Sequence, residues 1–428
     1  MIKLKFDLIK DLDYQKLSTK YQAKLNDIFD QLKDKKTPSS NMLGWIDYVN
    51  QDQTEIYQKI DAKIAEWDKL KVTDVVVIGI GGSYTGIKAI LDITSYLPSQ
   101  QKRKIHFVRS LSENTLINIL EQVRDKNWAI VVISKSGTTL EPSVGFKLFR
   151  EALYKQYDQQ AAKRIVAITD PQKGVLHDLA VKNNYEMLPI YSDIGGRFST
   201  LTPSGLLVAG LAGANYKDLI LGAKQANADL FSSADLTKNT AYCYAALRHY
   251  LYTELKKDVE VAITYEEQHE YLMLQHRQLF GESEGKKENS LFPTYSVFTT
   301  DLHSMGQLYQ QGKKIFFETV FSFEKANSNS LKLNKSQFDN DDKLDYVTNK
   351  SVNELNYIAC EATKQAHASA GVPIIEIDIE QNNGYGFGYV YYWLCIATSV
   401  SALLLKHDPY DQPGVEDYKQ RMFKLLGK

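Results

Sequence analysis

The chain has 428 residues, with 51 Lys and Arg against 52 Asp and Glu, a formal charge of -1, and 43% hydrophobic residues. Balanced charge argues against a broad basic surface for nucleic acid, and at roughly 150 residues per domain the length suggests two or three domains or one large α/β unit with a sizeable core. Three isolated cysteines without a CxxC pair, Cys243, Cys360 and Cys395, disfavour a zinc ribbon, a redox dithiol or a secreted disulfide framework.

Charges run through the first residues, MIKLKFDLIKDLDYQKL, where an export signal needs an unbroken apolar stretch, so a cytoplasmic location is expected. Residues 1–70 carry apolar positions at helical spacing, as in YQAKLNDIFDQLKD and EIYQKIDAKIAEWDKL, and are expected to form an N-terminal helical arm. The pattern then changes. VTDVVVIGI is a continuous β-branched run, followed by glycines and the helical GGSYTGIKAILDI; KIHFV, NWAIVVI and RIVAITD repeat the theme ahead of turns and helices. Repeated βα units make a parallel sheet with helices on both faces, assigned here to residues 71–235.

A second α/β unit is expected over 236–405, starting from a helix near Thr237–Lys257 and continuing through VEVAITY, SLFPTYSV, KKIFFETVFSF and PIIEIDIE. The polar run EKANSNSLKLNKSQFDNDDKLDYV interrupts it and reads as an exposed insertion. No Asp, Glu, Lys or Arg occurs between Glu380 and Lys406, and Gly388–Leu405 is about long enough to cross a bilayer. Its Gly-rich entry, its Thr398, Ser399 and Ser401, and the lack of a second such segment suit a buried core helix, so no membrane partner is expected. Residues 406–428 form a C-terminal segment closing with a helix, QPGVEDYKQRMFKLL. The fold class is α/β: two doubly wound α-β-α sandwiches with mainly parallel sheets, plus helical segments at both ends.

Ligands of such sheets bind beyond the carboxyl ends of the strands, where helix N-termini present free N–H groups. The turn Gly79-Ile80-Gly81-Gly82-Ser83-Tyr84 sits there. It departs from a dinucleotide fingerprint by placing Tyr84 where the third glycine belongs, and HFVRS ends without a ribose-binding acid; nor is it a nucleotide P-loop. It also reads as a plain strand–helix junction. The second turn, Ser134-Lys135-Ser136-Gly137-Thr138-Thr139, is more informative: four hydroxyls, a glycine and a lysine suit a phosphate monoester, which offers several acceptor oxygens and about two negative charges. His269 and His276 lie seven apart rather than at the HExxH interval, and no metal requirement is expected.

Four further segments concentrate ionisable groups: GGRFSTLTPSG at 195–205, GESEGKKEN around Glu282, TDLHSMGQLYQQG around His303, and DQPGVEDYK ending at Lys419. Together with GIGGS and SKSGTT, in this order from about Val75 to Lys419, they resemble the glucose-6-phosphate isomerase family in its shorter bacterial form. The resemblance implies two sugar-isomerase-type domains, a homodimer, a hexose 6-phosphate substrate and no cofactor. It places Glu282 as the catalytic base, His303 and Lys419 as the ring-opening pair, with the histidine crossing to the neighbouring subunit, and Arg197 as the enediolate-stabilising group. Ser134, Ser136 and Thr139, with Lys135 beside them, match the phosphate binders. Gly82 and Ser83 fall near the sugar, and Gln278 and Gln412 match hydrogen-bonding glutamines.

The chemistry agrees with these roles. Moving a carbonyl from C1 to C2 needs a base that takes the C2 proton and returns it at C1, which one carboxylate on one face of a cis-enediol can do. A permanently protonated guanidinium stabilises the enediolate oxygen, and a histidine with a lysine can divide the proton transfers of ring opening. Three alternatives stand beside this reading: a non-catalytic sugar-phosphate sensor, an isomerase that also accepts mannose 6-phosphate or an amino sugar phosphate, and an NADP oxidoreductase using Arg109.

Overall fold

The computed structural model describes residues 2–323 and 331–427. Among these residues, ten strands make two five-stranded sheets. The first holds β2 (Asp74–Ile78), β3 (Lys104–Val108), β4 (Trp128–Ile133), β5 (Ile165–Thr169) and β6 (Glu186–Pro189) in the order β3-β2-β4-β5-β6, and every pair is parallel. All side chains of β2, β4 and β5 are buried, as the unbroken apolar runs demand of a sheet covered on both faces. The second sheet runs β1-β10-β9-β7-β8, from β1 (Ile2–Lys5), β7 (Val259–Thr264), β8 (Phe292–Val297), β9 (Phe316–Phe323) and β10 (Ile374–Ile379). Here β7 to β10 pair in parallel and β1 alone is antiparallel, against β10.

The α/β expectation with mainly parallel sheets therefore holds, with two differences of detail. The arm of residues 1–70 is not purely helical: helices Tyr14–Lys33 and Thr54–Lys69 are present, but Ile2–Lys5 is a strand on the edge of the second sheet. The alternation IKLKF is a period-two pattern with Ile2 buried and Lys5 reaching Asp378 at 2.6 Å, too short to stand out beside the long helical stretch after it. Strand β6 was equally hidden, because EMLP is short and lacks a β-branched run.

The apolar stretch near the C-terminus is helix Gly384–Leu404, of which all of Gly386–Ala402 is buried. It packs most extensively against helix Tyr216–Leu230, so its hydrophobicity is spent inside the protein. Of the polar insertion, residues 324–330 lie outside the described residues, and the remainder is mostly exposed, as at Leu331, Phe338 and Tyr346. Helix Glu270–Glu284 joins the two sheet units: it packs on helix Thr85–Thr94 of the first and on β7 and β8 of the second.

Candidate active site

Beyond the end of β2, the turn Gly81–Ser83 leads into helix Thr85–Thr94. Gly82 is buried, and a Cβ on it would lie 2.0 Å from the carbonyl oxygen of Gly196. Only glycine lets the GIGGS turn touch the GGRFS turn, and that contact brings half-buried Ser83 beside the segment carrying Arg197. Arg197, 1% exposed, sits in the short turn Gly196–Phe198. Its Nε donates to Ser283 Oγ at 2.9 Å, its Nη1 to Glu282 Oε2 at 3.3 Å, and its Nη2 to the carbonyl of Pro409. Burial draws the guanidinium pKa below its ordinary value and the Glu282 charge opposes this, leaving it a cation at neutral pH.

Glu282 lies in the last turn of helix Glu270–Glu284 with its side chain 32% exposed. Gln275, Gln278 and Glu282 are spaced to share one helix face. Gln278 Nε2 donates to Glu282 Oε1 at 2.9 Å, and Gln412 Nε2 donates to Oε2 at 2.6 Å. Thr85 Oγ1 lies 2.7 Å from the amide oxygens of both Gln275 and Gln278, tying this face to the helix after the GIGGS turn. Gln275 Nε2 and Tyr391 OH each donate to the Arg197 carbonyl at 3.0 Å. The carboxylate is therefore aimed by two amides and a guanidinium while still reaching solvent, a suitable state for a base awaiting a carbon acid.

The second turn follows β4 directly. Gly137 takes φ +71°, and a Cβ there would meet Leu176 N at 2.4 Å, so glycine is required on both counts. The Gly137 N–H donates to Ser134 Oγ at 3.1 Å, and Ser136 Oγ lies 2.7 Å from Thr138 Oγ1. Ser134 is buried, whereas Lys135, Ser136, Thr138 and Thr139 are exposed, with Thr139 capping helix Leu140–Tyr157. Lys135 Nζ donates to the Ser192 carbonyl at 3.2 Å. Hydroxyls, a helix N-terminus and a cation thus lie together on one exposed turn, an arrangement suited to an anion.

Two expected residues stand apart. His303 is exposed at the start of helix Leu302–Gln311, and its ring makes no hydrogen bond among the described residues. Lys419 lies on helix Gly414–Leu425, which has no buried residue, and pairs with Glu416 at 2.8 Å. Other contributors were not singled out: Ser283 and Lys286, inside GESEGKKEN, receive the Arg197 Nε and bind the loop before Gln412, respectively, and Tyr391 reaches in from the long core helix. Fully buried Arg248 binds Glu260 at 2.8 Å, Glu284 at 2.6 Å and Ser401 at 2.6 Å, anchoring the end of the Glu282 helix. Burial would raise the Glu260 pKa, but Arg248 and His276 hold it below the ordinary value. The helical spacing of Gln275 was a legible signal; nothing local marks Arg248. Among the described residues no group of three or more His, Cys, Asp or Glu side chains is arranged to hold a metal ion.

Comparison with known proteins agrees with the motifs. The family model described as phosphoglucose isomerase matches residues 37–353. The chain is 82% identical over 426 residues to the glucose-6-phosphate isomerase of Mycoplasmoides gallisepticum, covering 100% of both chains. It is 50% identical over 411 residues to that of Mycoplasma pneumoniae, covering 96% of this chain and 94% of the relative. A crystal structure of a glucose-6-phosphate isomerase from Chlamydia trachomatis shares the fold, with a TM-score of 0.83 at 20% identity, covering 100% of this chain and 88% of that one. A family match over most of its length and a full-length relative at this identity show that the chain belongs to the phosphoglucose isomerase family.

Proposed function

We propose that the protein catalyses the reversible isomerisation of glucose 6-phosphate to fructose 6-phosphate through a cis-enediol. The observation that carries this reading is the Glu282 carboxylate, half open to solvent, held by Gln278 and Gln412 and placed 3.3 Å from the buried Arg197 guanidinium. In the open aldose Glu282 takes the C2 proton, and the electron pair passes through C1 to O1. Arg197, itself buried, stabilises the enediolate charge, a contribution of roughly 3 kcal/mol. The proton on O2 passes to O1, and Glu282 returns hydrogen to C1, giving the ketose.

Ring opening needs a proton removed from the C1 hydroxyl and another delivered to the ring oxygen, the work assigned to His303 and Lys419. Ser134, Ser136 and Thr139, with Lys135, grip the phosphate and fix the far end of the sugar, while Gly82 and Ser83 border its body. In this reading residues 71–235 hold the phosphate, 236–405 supply base and histidine, and 406–428 supply the lysine. The active form is a homodimer in which His303 serves the partner's site, supported by its exposure on a helix that also exposes Met305 and Leu308. Three buried free cysteines favour a reducing cytoplasm.

The test is a coupled assay with fructose 6-phosphate under chelation, alongside Glu282→Gln. Wild-type turnover with at least a ~10³-fold loss in the variant supports the assignment. Binding of the sugar phosphate without exchange of the C2 hydrogen for solvent deuterium identifies a sensor instead. Mixing His303→Ala with Glu282→Gln subunits should restore roughly a quarter of the sites if the histidine is shared; no recovery despite subunit exchange rejects sharing.

A further inference from the structure

We propose that Lys286 is a positioning residue: it clamps the loop 408–412 onto the end of the Glu282 helix and so sets where Gln412 and Lys419 work. The inference rests on the isomerase reading above. Lys286 follows the helix cap at Gly285, four residues beyond the base. Its side chain is only 10% exposed, and a largely buried ammonium is unfavourable unless its partners compensate. Both of its partners lie in one loop. Nζ donates to the Asp408 carbonyl and pairs with Asp411 Oδ1 at 2.5 Å.

The same loop is met twice more by the catalytic cluster. Arg197 Nη2 donates to the Pro409 carbonyl, and Gln412 Nε2 donates to Glu282 Oε2 at 2.6 Å. Asp408 is also pinned from the N-terminal arm by the Ser39 hydroxyl, and its Oδ1 accepts the Tyr410 N–H at 2.9 Å. The next element is helix Gly414–Leu425, which has no buried residue and half-buries Val415, Lys419, Met422 and Phe423, and the loop leads directly into it. Lys419 lies one turn into this helix, directly after a loop that Lys286 fastens to the base. Loosening the clamp leaves Gln278, the phosphate turn and the Arg197–Ser283 contact in place while freeing Gln412, the Pro409 carbonyl and Lys419 together. Ring opening should suffer, and binding of an open-chain ligand should not.

The experiment compares Lys286→Met, Lys286→Arg and Asp411→Asn with wild type. It reads kcat and KM for glucose 6-phosphate, the inhibition constant of an open-chain probe (arabinonate 5-phosphate), and amide hydrogen exchange over residues 408–425. Lys286→Met should lower kcat about 10- to 100-fold, with KM and the inhibition constant changed less than about threefold. Exchange over 408–425 should rise while that over 270–284 stays put. Lys286→Arg should recover most of the rate, and Lys286→Met with Asp411→Asn together should be no worse than Lys286→Met alone, because both break one contact. Wild-type kcat in Lys286→Met, equal losses in kcat and probe affinity, or unchanged exchange over 408–425 would each overturn the clamp. If Lys286→Met fails to fold, Asp411→Asn, altered at a half-exposed site, carries the same comparison. Should wild type itself lack isomerase activity, the reaction assignment falls while the exchange data still decide the clamp.

Discussion

Glu282 and His303 are both assigned to move protons, yet their surroundings are opposites. Glu282 is held by Arg197, Gln278 and Gln412, side chains drawn from three distant stretches of the chain. His303 projects from a helix start with no hydrogen-bond partner for its ring among the described residues. One chain builds the base and its electrostatic support to completion, whereas the histidine is presented outward. Groups that must hold charge in a fixed geometry gain from a rigid, partly buried frame. The proposed sharing of His303 with a second subunit requires such exposure.

The largest expected effect tests the buried side of this contrast. Arg197→Ala removes contacts to Glu282, Ser283 and Pro409 at once, so turnover should fall by about 10³-fold or more, and stability by roughly 1–3 kcal/mol because the Ser283 hydroxyl and the Pro409 carbonyl lose a buried donor. Activity and urea melts on the same preparation measure both. A variant that loses rate but melts as wild type would show that the cluster is not part of the frame. His303→Ala comes next: turnover should drop about 10²-fold, while the melting temperature stays within a degree or two of wild type, since an exposed side chain supports little packing. Marked destabilisation of the isolated chain there would erase the contrast.

Gly82→Ala is expected to be milder in chemistry yet visible in both assays. Its Cβ would press on the Gly196 carbonyl, so the two turns must part and Arg197 shifts with its segment; roughly a 10-fold loss in kcat and about 1–3 kcal/mol of stability should follow. The smallest effect concerns buried imidazoles. Burial holds His249, His269 and His276 down at about 4, below the ordinary 6.5. Between these values the unfolded chain binds more protons than the folded one, so stability falls as pH drops from 6.5 toward 4. Each imidazole should account for about 1 kcal/mol between pH 6.5 and 5.5. His276→Gln should flatten the denaturation-versus-pH slope by that amount, and an unchanged slope would remove His276 from the acid sensitivity.

Much of the frame was legible because local pattern and burial coincide. Unbroken Val and Ile runs announced β2, β4 and β5, and the charge-free stretch near the C-terminus announced a core helix. Glycine-bearing turns marked two of the places where helices begin beyond strand ends, and the motifs around Glu282 and Arg197 marked the chemistry. Strand β1 was not legible, since its partner β10 lies at the other end of the chain and four residues carry too weak an alternation.

The sequence by itself determined the α/β class, the buried strands, the hydroxyl-lined turn and the ordered set of ionisable motifs, because each depends on composition and spacing within a few residues. Only the tertiary structure decided that Arg197, Glu282 and Gln412 share one site, that Lys286 and Arg248 secure the end of the base helix, and that His303 and Lys419 stand outside that cluster. Those outcomes follow from how helix Glu270–Glu284 is wedged between the two sheets, a packing arrangement to which residues more than a hundred positions apart contribute and which no local periodicity records.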